Sequence, residues 1–497
     1  MRRHSRPCCG GSLDREPREC RSTSGLTSGP SGAGTIEFGS EEQGGYTVSR
    51  IWPSAARRAA TSVALALIAG STAYAAAPVQ AGAVTRGHKT HGYPLTIAVT
   101  GPFSGTTAIF GPTFDTGAYA GEVAVNRAGG ILGHPVTIEN VDTKGDAADA
   151  VSVIDKVLAS SGHLICFIGP GTTSPSLVPL IAGTDLPMFS DSTAPRYDHN
   201  TNPYFFRILP SDSLAGTSLA YYAVKHGYKH AVAVWLTSTS SQTNVPSFQA
   251  VYKDLGGKLA GNFSIAPTLT NYRTEALAIL NAKPDAIVMD SNSKTASTLL
   301  TDLKQLGKIP EVITDSTGET PTFISAVEQV LGKTVAVHKF VGVSQAAPNT
   351  KSLGYKTYYK SLVASHKKTL LQFAPLSYAY FPYTAIVLDA LALTGNKTLN
   401  PKASAIPSTI KSMTVPGKGK VTVHTYAQGL AALKRGVSVK KLYYFGAYGR
   451  IDLNKYNNAS ATFQAARYGA SPTSPLVSIG KPISAKTLGR LLAKTGL

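Results

Sequence analysis

The hydrophobic pattern of this chain changes its period regularly from Tyr93 onward, and this alternation limits the fold more than any other feature. "YPLTIAVTG" is a short apolar run typical of a buried strand, and "TFDTGAYAGEVAVNRAGG" carries apolar residues at helical spacing until two glycines end it. "HPVTIENVD" and "LICFIGPG" are strand-like, with the amphipathic helix "AADAVSVIDKVLASSG" between them. Such alternation predicts βαβ units, which build parallel sheets with helices on both faces.

The same alternation resumes after Phe205, where four strand-like runs are separated by helical stretches near 213–227, 244–255, 272–282 and 294–306. Two such runs predict an α/β protein with two doubly wound lobes whose parallel sheets are joined by a multi-strand hinge. The lobes are expected to be discontinuous, with 94–210 and 341–450 in the first and 211–340 and 451–485 in the second. Crossings between them are expected near Leu209–Asp212, Phe340–Gln345 and Tyr448–Leu453.

The N-terminal part of the chain has the pattern of an exported protein. Residues 1–47 are rich in Gly, Ser, Arg and Glu without hydrophobic periodicity, which predicts a disordered leader. A start codon near Val48 would make this leader an artefact. Residues 48–77 contain basic residues, a short apolar run and Ala-x-Ala spacing, which predict a secretory signal peptide. A retained membrane anchor is the alternative, and the run is marginal in length for one.

The charged residues and cysteines exclude several classes. Lys and Arg number 48 against 28 Asp and Glu, giving a net charge of +20, but the basic residues are scattered and form no nucleic-acid-binding block. Three of the four cysteines lie in the leader, so Cys166 is expected to be a buried core residue. Motifs of serine hydrolases, zinc proteases, phosphate loops and zinc clusters do not occur. We therefore expect no catalysis, no cofactor and no bound metal.

Polar residues cluster in loops that follow predicted strands. "GPGTTSPS" follows "LICFI" and leads into a helix, "SDSTAP" follows the next strand, and "GPFSGTTAIFG" follows the first. In open α/β sheets, ligands bind at the carboxyl ends of strands, where helix N-termini offer free N–H groups. Candidate ligand-binding residues of the first lobe are Phe110, Thr172, Thr173, Ser174, Ser192 and Thr193. The alternative is that these hydroxyls only cap helices.

The full sequence of one segment is a more specific indication of a protein family than its glycines alone. "VNRAGGILGHPVTIENVDTKGDAADAV" resembles the second segment of the branched-chain amino acid binding proteins of ABC transporters, the type I periplasmic binding proteins. The similarity continues in order through "TIAVTGPFSGTTAIFG", "FIGPGTTSPSLVPLIAGTDLPMFSDSTAP" and "NPYFFRILPSDSLAG", and persists more weakly to about residue 480. It implies two lobes that close over a small solute.

The resemblance also implies roles for individual residues. The positions matching Thr173 and Thr193 hold the α-carboxylate or ammonium of the ligand in that family, and the position matching Phe110 forms an aromatic wall. The second lobe departs from the family, because hydroxyls stand in "WLTSTSSQTN" where an aromatic residue is common. Depending on the alignment, Asp315 or Ser316 takes the place of the acidic residue that meets the ammonium. Candidates in this lobe are Thr237, Ser240, Asn292, Asp315 and Ser316.

The resulting functional expectation is an exported, monomeric solute-binding protein of an ABC importer. It would bind a small polar ligand, such as a branched-chain or other amino acid, and present its closed form to a membrane permease. One alternative is a ligand sensor or regulator with the same fold, because fold does not fix function. Another is a ligand of a different class, namely an amide, urea or an aromatic acid.

Overall fold

The computed structural model describes residues 90–105, 108–169, 171, 173–267, 269–471 and 474–497. The predicted leader and signal peptide lie outside the described residues. The strands of the described part are β1 (Leu95–Gly101), β2 (Val136–Asp142), β3 (Leu164–Gly169), β4 (Met188–Ser190), β5 (Phe205–Arg207), β6 (Val232–Leu236), β7 (Gly261–Ile265), β8 (Ala286–Asp290), β9 (Glu311–Thr314), β10 (Phe340–Gln345), β11 (Val421–Val423), β12 (Leu442–Tyr444), β13 (Phe463–Ser471) and β14 (Ser474–Ile483).

The helices follow the strands in the predicted alternation. They are α1 (Gly111–Arg127), α2 (Ala147–Ser160), α3 (Ser174–Ala182), α4 (Asp212–Lys225), α5 (Thr239–Gln242), α6 (Val245–Asp254), α7 (Arg273–Asn281), α8 (Ser293–Gln305), α9 (Pro321–Leu331), α10 (Lys333–Lys339), α11 (Leu353–Ala364), α12 (Ser377–Gly395), α13 (Ala405–Thr414), α14 (Tyr426–Lys434) and α15 (Ala485–Lys494). Short 3-10 helices lie at Ala108–Phe110, Pro195–Tyr197, Ser316–Glu319, Lys368–Phe373 and Val439–Lys441.

The first lobe is built on a parallel five-stranded sheet in the order β2-β1-β3-β4-β5. One face of this sheet packs against α1 and the helices of the later chain, and a large apolar cluster between them includes the buried side chains of Phe114, Phe381 and Ile386. The other face packs on α2 and α3 around Ile154 and Leu177. Helices therefore cover both faces, as the sequence predicts.

The second lobe is built on a seven-stranded sheet in the order β14-β13-β10-β9-β8-β6-β7. Strands β6 to β10 are parallel, whereas β13 pairs antiparallel with both β10 and β14. Separate apolar clusters lie on the two faces, one around Trp235 and Phe248 and the other around Leu299 and Phe340. The α/β fold class with parallel sheets and doubly wound helices is thus confirmed.

One predicted boundary is wrong. The sequence-based division assigned residues from 341 onward to the first lobe, but β10 lies in the second sheet, where Val341 pairs with Ile313 of β9 and with Arg467 of β13. The apolar run at the start of β10 continues the buried face of that sheet, which is why the strand stays there. The chain therefore leaves the second sheet only after Gln345.

The double glycine of "NRAGG" closes α1 and turns the chain toward β2. Gly129 and Gly130 have φ values of 104° and 72°, and the N–H of Gly130 donates to the carbonyl of Val125 at 3.0 Å. Asn126 then fixes the start of β2, because its side chain exchanges two hydrogen bonds with the backbone of Val136 at 2.7 and 2.8 Å. This segment therefore has a structural role in the first lobe.

Two segments that connect the lobes lie side by side. The N–H of Arg207 donates to the carbonyl of Asn457 at 2.9 Å, and the N–H of Ala459 donates to the carbonyl of Arg207 at 2.8 Å. The guanidinium of Arg207 is buried, donates to the carbonyl of Ala194 at 2.9 Å and pairs with the carboxylate of Asp198. The end of β5 is thereby joined to the segment that precedes β13.

Helix α12 is apolar on all sides and lies buried in the first lobe. Among the described residues, no helix combines the length and apolarity needed to cross a bilayer. Cys166 of β3 is buried, as expected, and lies beside the Asp389 carboxyl of α12.

Candidate functional site

Two aspartates stand side by side at the carboxyl end of the second sheet. Asp290 is the last residue of β8, and Asp315 follows the last residue of β9. The register pairs Met289 with Thr314, so Asp290 and Asp315 occupy the next position on neighbouring parallel strands, which lie ~4.8 Å apart. Strand pairing therefore holds two carboxylates next to each other.

The partners of these two carboxylates are hydroxyls and N–H groups rather than cations. Asp290 accepts hydrogen bonds from the hydroxyl of Ser241 and the amide of Asn244, both at 3.2 Å. Asp315 accepts from the N–H of Thr317 at 3.0 Å and from its hydroxyl. Burial raises the pKa of Asp290 to about 8, and the charge of Asp315 adds to this rise. Burial also raises the pKa of Asp315.

A third carboxylate connects the two lobes. Asp212, the first residue of α4, accepts hydrogen bonds from the hydroxyls of Thr243 at 2.6 Å and of Thr193 at 2.9 Å. Thr193 belongs to the loop after β4 in the first lobe, whereas Thr243 lies in the second. Burial raises the pKa of Asp212 to about 6, with a smaller upward contribution from Asp315 that Arg207 opposes. Side chains of both lobes therefore meet at this carboxylate.

The first-lobe loops present hydroxyls that contact one another. The hydroxyl of Ser174 donates to that of Ser192 at 3.1 Å, and the N–H of Ser192 donates to the hydroxyl of Ser190 at 3.1 Å. Thr173 is buried, and its carbonyl accepts the N–H of Leu177 at 3.2 Å, but its side chain makes no capping hydrogen bond. Helix capping, the alternative considered from the sequence, is thus not a role of the Thr173 side chain.

A fourth carboxylate lies in the first lobe. Asp191 directly follows β4, is 7% exposed, and its N–H donates to the carbonyl of Gly169 at 3.0 Å. Its Oδ1 atom has no hydrogen-bond partner among the described residues, and burial raises its pKa to about 7. The carboxylate packs against Gly171, where an added Cβ would fall 2.6 Å from Oδ2. Glycine therefore lets this carboxyl group pack tightly against the loop after β3.

Tyr378 of α12 shows where these groups converge. Its pKa is raised by burial and, to a lesser extent, by the charges of Asp191, Asp212 and Asp315. The side chain is 39% exposed, so it lies at a surface on which the charges of carboxylates from both lobes act.

The residues that sequence analysis missed are mainly acidic. Asp191 and Asp290 lie at strand ends where only neighbouring residues were predicted as ligand contacts. Their own position at a strand end was the available signal. Asp212 has the ordinary pattern of an acidic first helical turn, and Tyr378 lies far along the chain in an apolar helix. Neither carries a sequence signal for a site.

Four candidates among the described residues are exposed, and one of them, Ser240, accepts a hydrogen bond from the Asp212 partner Thr243 through its carbonyl. Phe110 ends a 3-10 helix and is 53% exposed. Thr237 and Ser240 are exposed near the end of β6, and Ser316 is exposed at the start of a short helix. Thr172 lies outside the described residues. Ligand contacts of these five residues stay predictions.

Two candidates cap helices. The Oδ1 atom of Asn292 accepts the N–H of Thr295 at 2.8 Å at the start of α8, and the side chain of Asn292 is exposed. Asp315 caps the 3-10 helix Ser316–Glu319 through the bond to Thr317 described above. For Asp315, capping and proximity to Asp290 occur together, so the capping alternative does not exclude a role in the cleft.

None of the four cleft carboxylates forms an ion pair with a basic side chain of the described residues, although the charge of Arg207 acts on Asp212. Within the described ranges, the ion pairs are Lys144–Asp149, Arg207–Asp198, Arg450–Asp452 and Arg467–Glu311. None of them includes Asp191, Asp212, Asp290 or Asp315, although the chain has 48 Lys and Arg. The same ranges contain no group of three or more His, Cys, Asp or Glu arranged to hold a metal ion.

Two hollows lie elsewhere on the first lobe. One of ≈ 320 Å³ lies between α1 and the end of α11, and one of ≈ 610 Å³ is lined by the turn around Gly129 and by α14. Neither is lined by a candidate ligand-binding residue. The convergence of polar groups at the strand ends therefore remains the better candidate site.

Comparison with known families gives an extended match. The family described as "Periplasmic binding protein" matches residues 94–425. A curated relative, the Leu/Ile/Val-binding protein BraC3 of Rhizobium johnstonii, is 32% identical over 79 residues, which is 16% of this chain and 21% of that protein. The chain thus aligns with about a fifth of this relative's length.

Solved structures extend the similarity to the whole fold. The leucine-binding protein LivK of Thermotoga maritima has a TM-score of 0.59 at 16% identity, covering 78% of this chain and 99% of its own. LivJ of Streptococcus pneumoniae, solved with isoleucine, has a TM-score of 0.57 at 16% identity over 78% and 100%. A solute-binding protein of R. palustris, solved with benzoate, has a TM-score of 0.57 at 15% identity over 78% and 96%. At these identities the similarity shows the fold alone.

Proposed function

Because the chain belongs to the periplasmic binding protein family, we propose that it is the solute-binding component of an ABC importer. In this proposal residues 48–77 direct export, and the two lobes close over a small solute. The closed form is then presented to a permease in the membrane. The protein acts as a monomer, without a cofactor and without catalysis.

The observation that carries the proposal is the meeting of both lobes at the carboxyl ends of their parallel strands. Asp212 of the second lobe accepts a hydrogen bond from Thr193 of the first, and Tyr378 of the first lobe lies near Asp315 of the second. Open α/β sheets bind ligands at this edge. A solute placed there contacts both lobes and therefore favours the closed arrangement.

The chemistry of the edge favours a solute with at least one positively charged nitrogen. Asp290 and Asp315 provide two adjacent carboxylates to such a group, in agreement with the amino acid ligand expected from the sequence. Leucine and isoleucine, named for two of the similar structures, carry an ammonium group. An aromatic acid such as benzoate is disfavoured here, because its carboxylate would meet carboxylates of like charge.

Thermal melting and small-angle scattering test the proposal. Purified protein is melted with amino acids, amides, urea, aromatic acids and amines, because a solute that binds only the folded state stabilises it by ~2.7 kcal/mol at one hundred times its dissociation constant. At least one solute is expected to raise the melting temperature. The same solute is expected to reduce the radius of gyration, since both lobes contact it.

Two results would contradict this function. If no solute of the panel raised the melting temperature, binding of a small solute in the cleft would be refuted. If a stabilising solute left the radius of gyration unchanged at saturation, closure of the lobes would be refuted, and the import mechanism with it.

A further inference from the structure

We propose that the solute of this cleft carries two positively charged nitrogen groups and no carboxylate, as an aliphatic diamine does. The inference rests on the proposed solute-binding function and specifies the charge of the ligand. It is based on three observations about the described residues. Four carboxylates lie at the strand ends, two buried oxygen atoms near them have no hydrogen-bond partner, and none of the four carboxylates forms an ion pair with a basic side chain.

The four carboxylates come from both lobes. Asp290 and Asp315 are adjacent on neighbouring strands of the second sheet, and Asp212 is held between the lobes by the hydroxyls of two threonines. Asp191 belongs to the first lobe, and it acts on the same Tyr378 hydroxyl as Asp212 and Asp315. A single ammonium group contacts one or two carboxylates at hydrogen-bond distance, so four distributed over two lobes match a ligand with two such groups.

Two buried atoms near these carboxylates have no hydrogen-bond partner among the described residues. One is Oδ1 of Asp191, whose side chain is 7% exposed, and the other is Oδ1 of Asn244, whose side chain is 4% exposed. The amide of Asn244 already donates to Asp290 at 3.2 Å, which leaves its oxygen as an acceptor. Buried acceptors without donors are costly, and both would be satisfied by N–H groups of a ligand.

A ligand carboxylate has no complementary place in this arrangement. The resemblance to amino acid binding proteins assigns Thr193 to the ligand's carboxylate or ammonium, but the hydroxyl of Thr193 donates to Asp212. Asp191 lies two residues before Thr193 and packs against the loop at Gly171, so a carboxylate bound to these loops would face a like charge. A zwitterionic amino acid is therefore disfavoured relative to a dication.

The affinity for a dication should rise with pH. Burial raises the pKa of Asp191 to about 7, of Asp212 to about 6 and of Asp290 to about 8. Burial also raises the pKa of Glu319, which lies at the end of the 3-10 helix that Asp315 caps, to about 7. These groups are partly protonated below neutral pH in the empty protein, and a bound cation stabilises their charged forms.

Binding should therefore release protons and weaken as pH falls from 8 to 5.5. The charged and titratable groups around the cluster are Tyr378 of α12, Arg207 of β5, Asp315 and Glu319. Arg207 is the basic side chain that acts on Asp212, and it forms its salt bridge with Asp198.

Isothermal titration calorimetry at pH 8 and pH 5.5 tests the ligand class. The probes are 1,4-diaminobutane, 1,5-diaminopentane, 1-aminopentane, lysine, leucine, glutarate and calcium chloride. A diamine is expected to bind. 1-Aminopentane should bind more weakly by about tenfold or more because it has one cationic group, and lysine should do so because its carboxylate would face the carboxylates of the site. Proton release, measured in buffers of different ionisation enthalpy, should accompany diamine binding.

Substitutions in each lobe test the site. Asp191→Asn and Asp290→Asn keep the shape of the side chain and remove one charge, and each is expected to weaken diamine binding by about 30-fold or more. Asp155→Asn and Asp254→Asn remove exposed carboxylates on α2 and α6 and should leave the affinity unchanged. Far-ultraviolet circular dichroism of each variant checks that the fold is retained.

The outcomes separate the inference from the proposed function. If leucine, or another panel solute without two cationic groups, binds tightly and compacts the protein while diamines do not, the solute-binding function stands and the inference fails. Calcium binding that excludes the diamine would also overturn it. If no probe of this set or of the wider panel binds, the proposed function itself fails.

Discussion

The two lobes place polar residues at the same edge of similar sheets, but the partners of these residues differ between the lobes. In the first lobe, the hydroxyl of Ser174 donates to that of Ser192 at 3.1 Å, so two neutral groups are partners. In the second, strand register holds Asp290 beside Asp315, and two like charges raise the cost of ionisation. The fold therefore determines where a ligand binds, and the side chains determine its charge.

The difference also predicts how the lobes respond to a ligand. Adjacent buried carboxylates destabilise each other unless a cation or a proton neutralises them. Because the pKa of Asp290 is raised to about 8, the empty second-lobe pair holds a proton at neutral pH, whereas the Ser174–Ser192 hydrogen bond of the first lobe does not depend on charge. Perturbed carboxylates of this kind are more common at functional sites than in structural positions.

Removal of a second-lobe charge should give the largest effect. Asp315→Asn is expected to weaken binding of a solute with a positively charged nitrogen by ~2–4 kcal/mol, because a buried charge loses its partner. Neutral amides should bind equally well to both proteins. In the absence of a solute and above pH 8, where Asp290 is charged, the substitution should raise the melting temperature, because Asp290 loses its charged neighbour.

Calorimetry of binding and of unfolding measures both effects of Asp315→Asn. Asp254→Asn is the matched control, since it removes an exposed carboxylate of the same lobe. Unchanged affinity in the Asp315 variant would restrict this residue to capping the Ser316–Glu319 helix, and the contrast between the lobes would lose its functional meaning.

Removal of a first-lobe hydroxyl should give a smaller effect. Thr173→Ala is expected to weaken solute binding by ~1.5–3 kcal/mol, the range for a hydrogen bond to a charged group. The free energy of unfolding should change little, because the side chain makes no capping hydrogen bond. Thr173→Ser should restore most of the affinity. Equal binding by wild type and the alanine variant would remove Thr173 from the site.

The smallest effect on solute affinity is expected for substitutions of Asn292, a predicted ligand contact that caps α8. Asn292→Ala should lower the free energy of unfolding by ~1 kcal/mol through loss of the cap, whereas Asn292→Ser should retain it. Solute affinity should be the same in both variants. A loss of affinity without a loss of stability would instead place Asn292 in the site and extend the polar edge of the second lobe.

Periodicity alone predicted the alternation of strands and helices, because each strand and helix buries a face of its own. It misplaced β10, since an apolar strand has the same sequence pattern in either sheet and only its partners β9 and β13 distinguish them. The antiparallel pairing of β13 with β10 was also beyond the sequence, because β10 lies more than one hundred residues earlier.

The site was predictable where a single strand end determines it. Asp315 was identified through the resemblance, and in the structure it directly follows β9. Tyr378 was not, because its position in the cleft depends on packing of α12 against the first sheet. Phe110 was predicted as an aromatic wall; its side chain is 53% exposed, and its ligand contact stays a prediction. Sequence pattern thus locates residues along one chain segment but not those that tertiary packing brings from another.

The pairing of the two connecting segments at Arg207 has a mechanical consequence. Two backbone hydrogen bonds between Arg207 and residues 457 and 459 form one parallel bridge between these segments. Sliding one segment along the other would break both hydrogen bonds. The two connections are therefore expected to move as one unit when the lobes rotate, so that closure at one of them is transmitted to the other through the backbone.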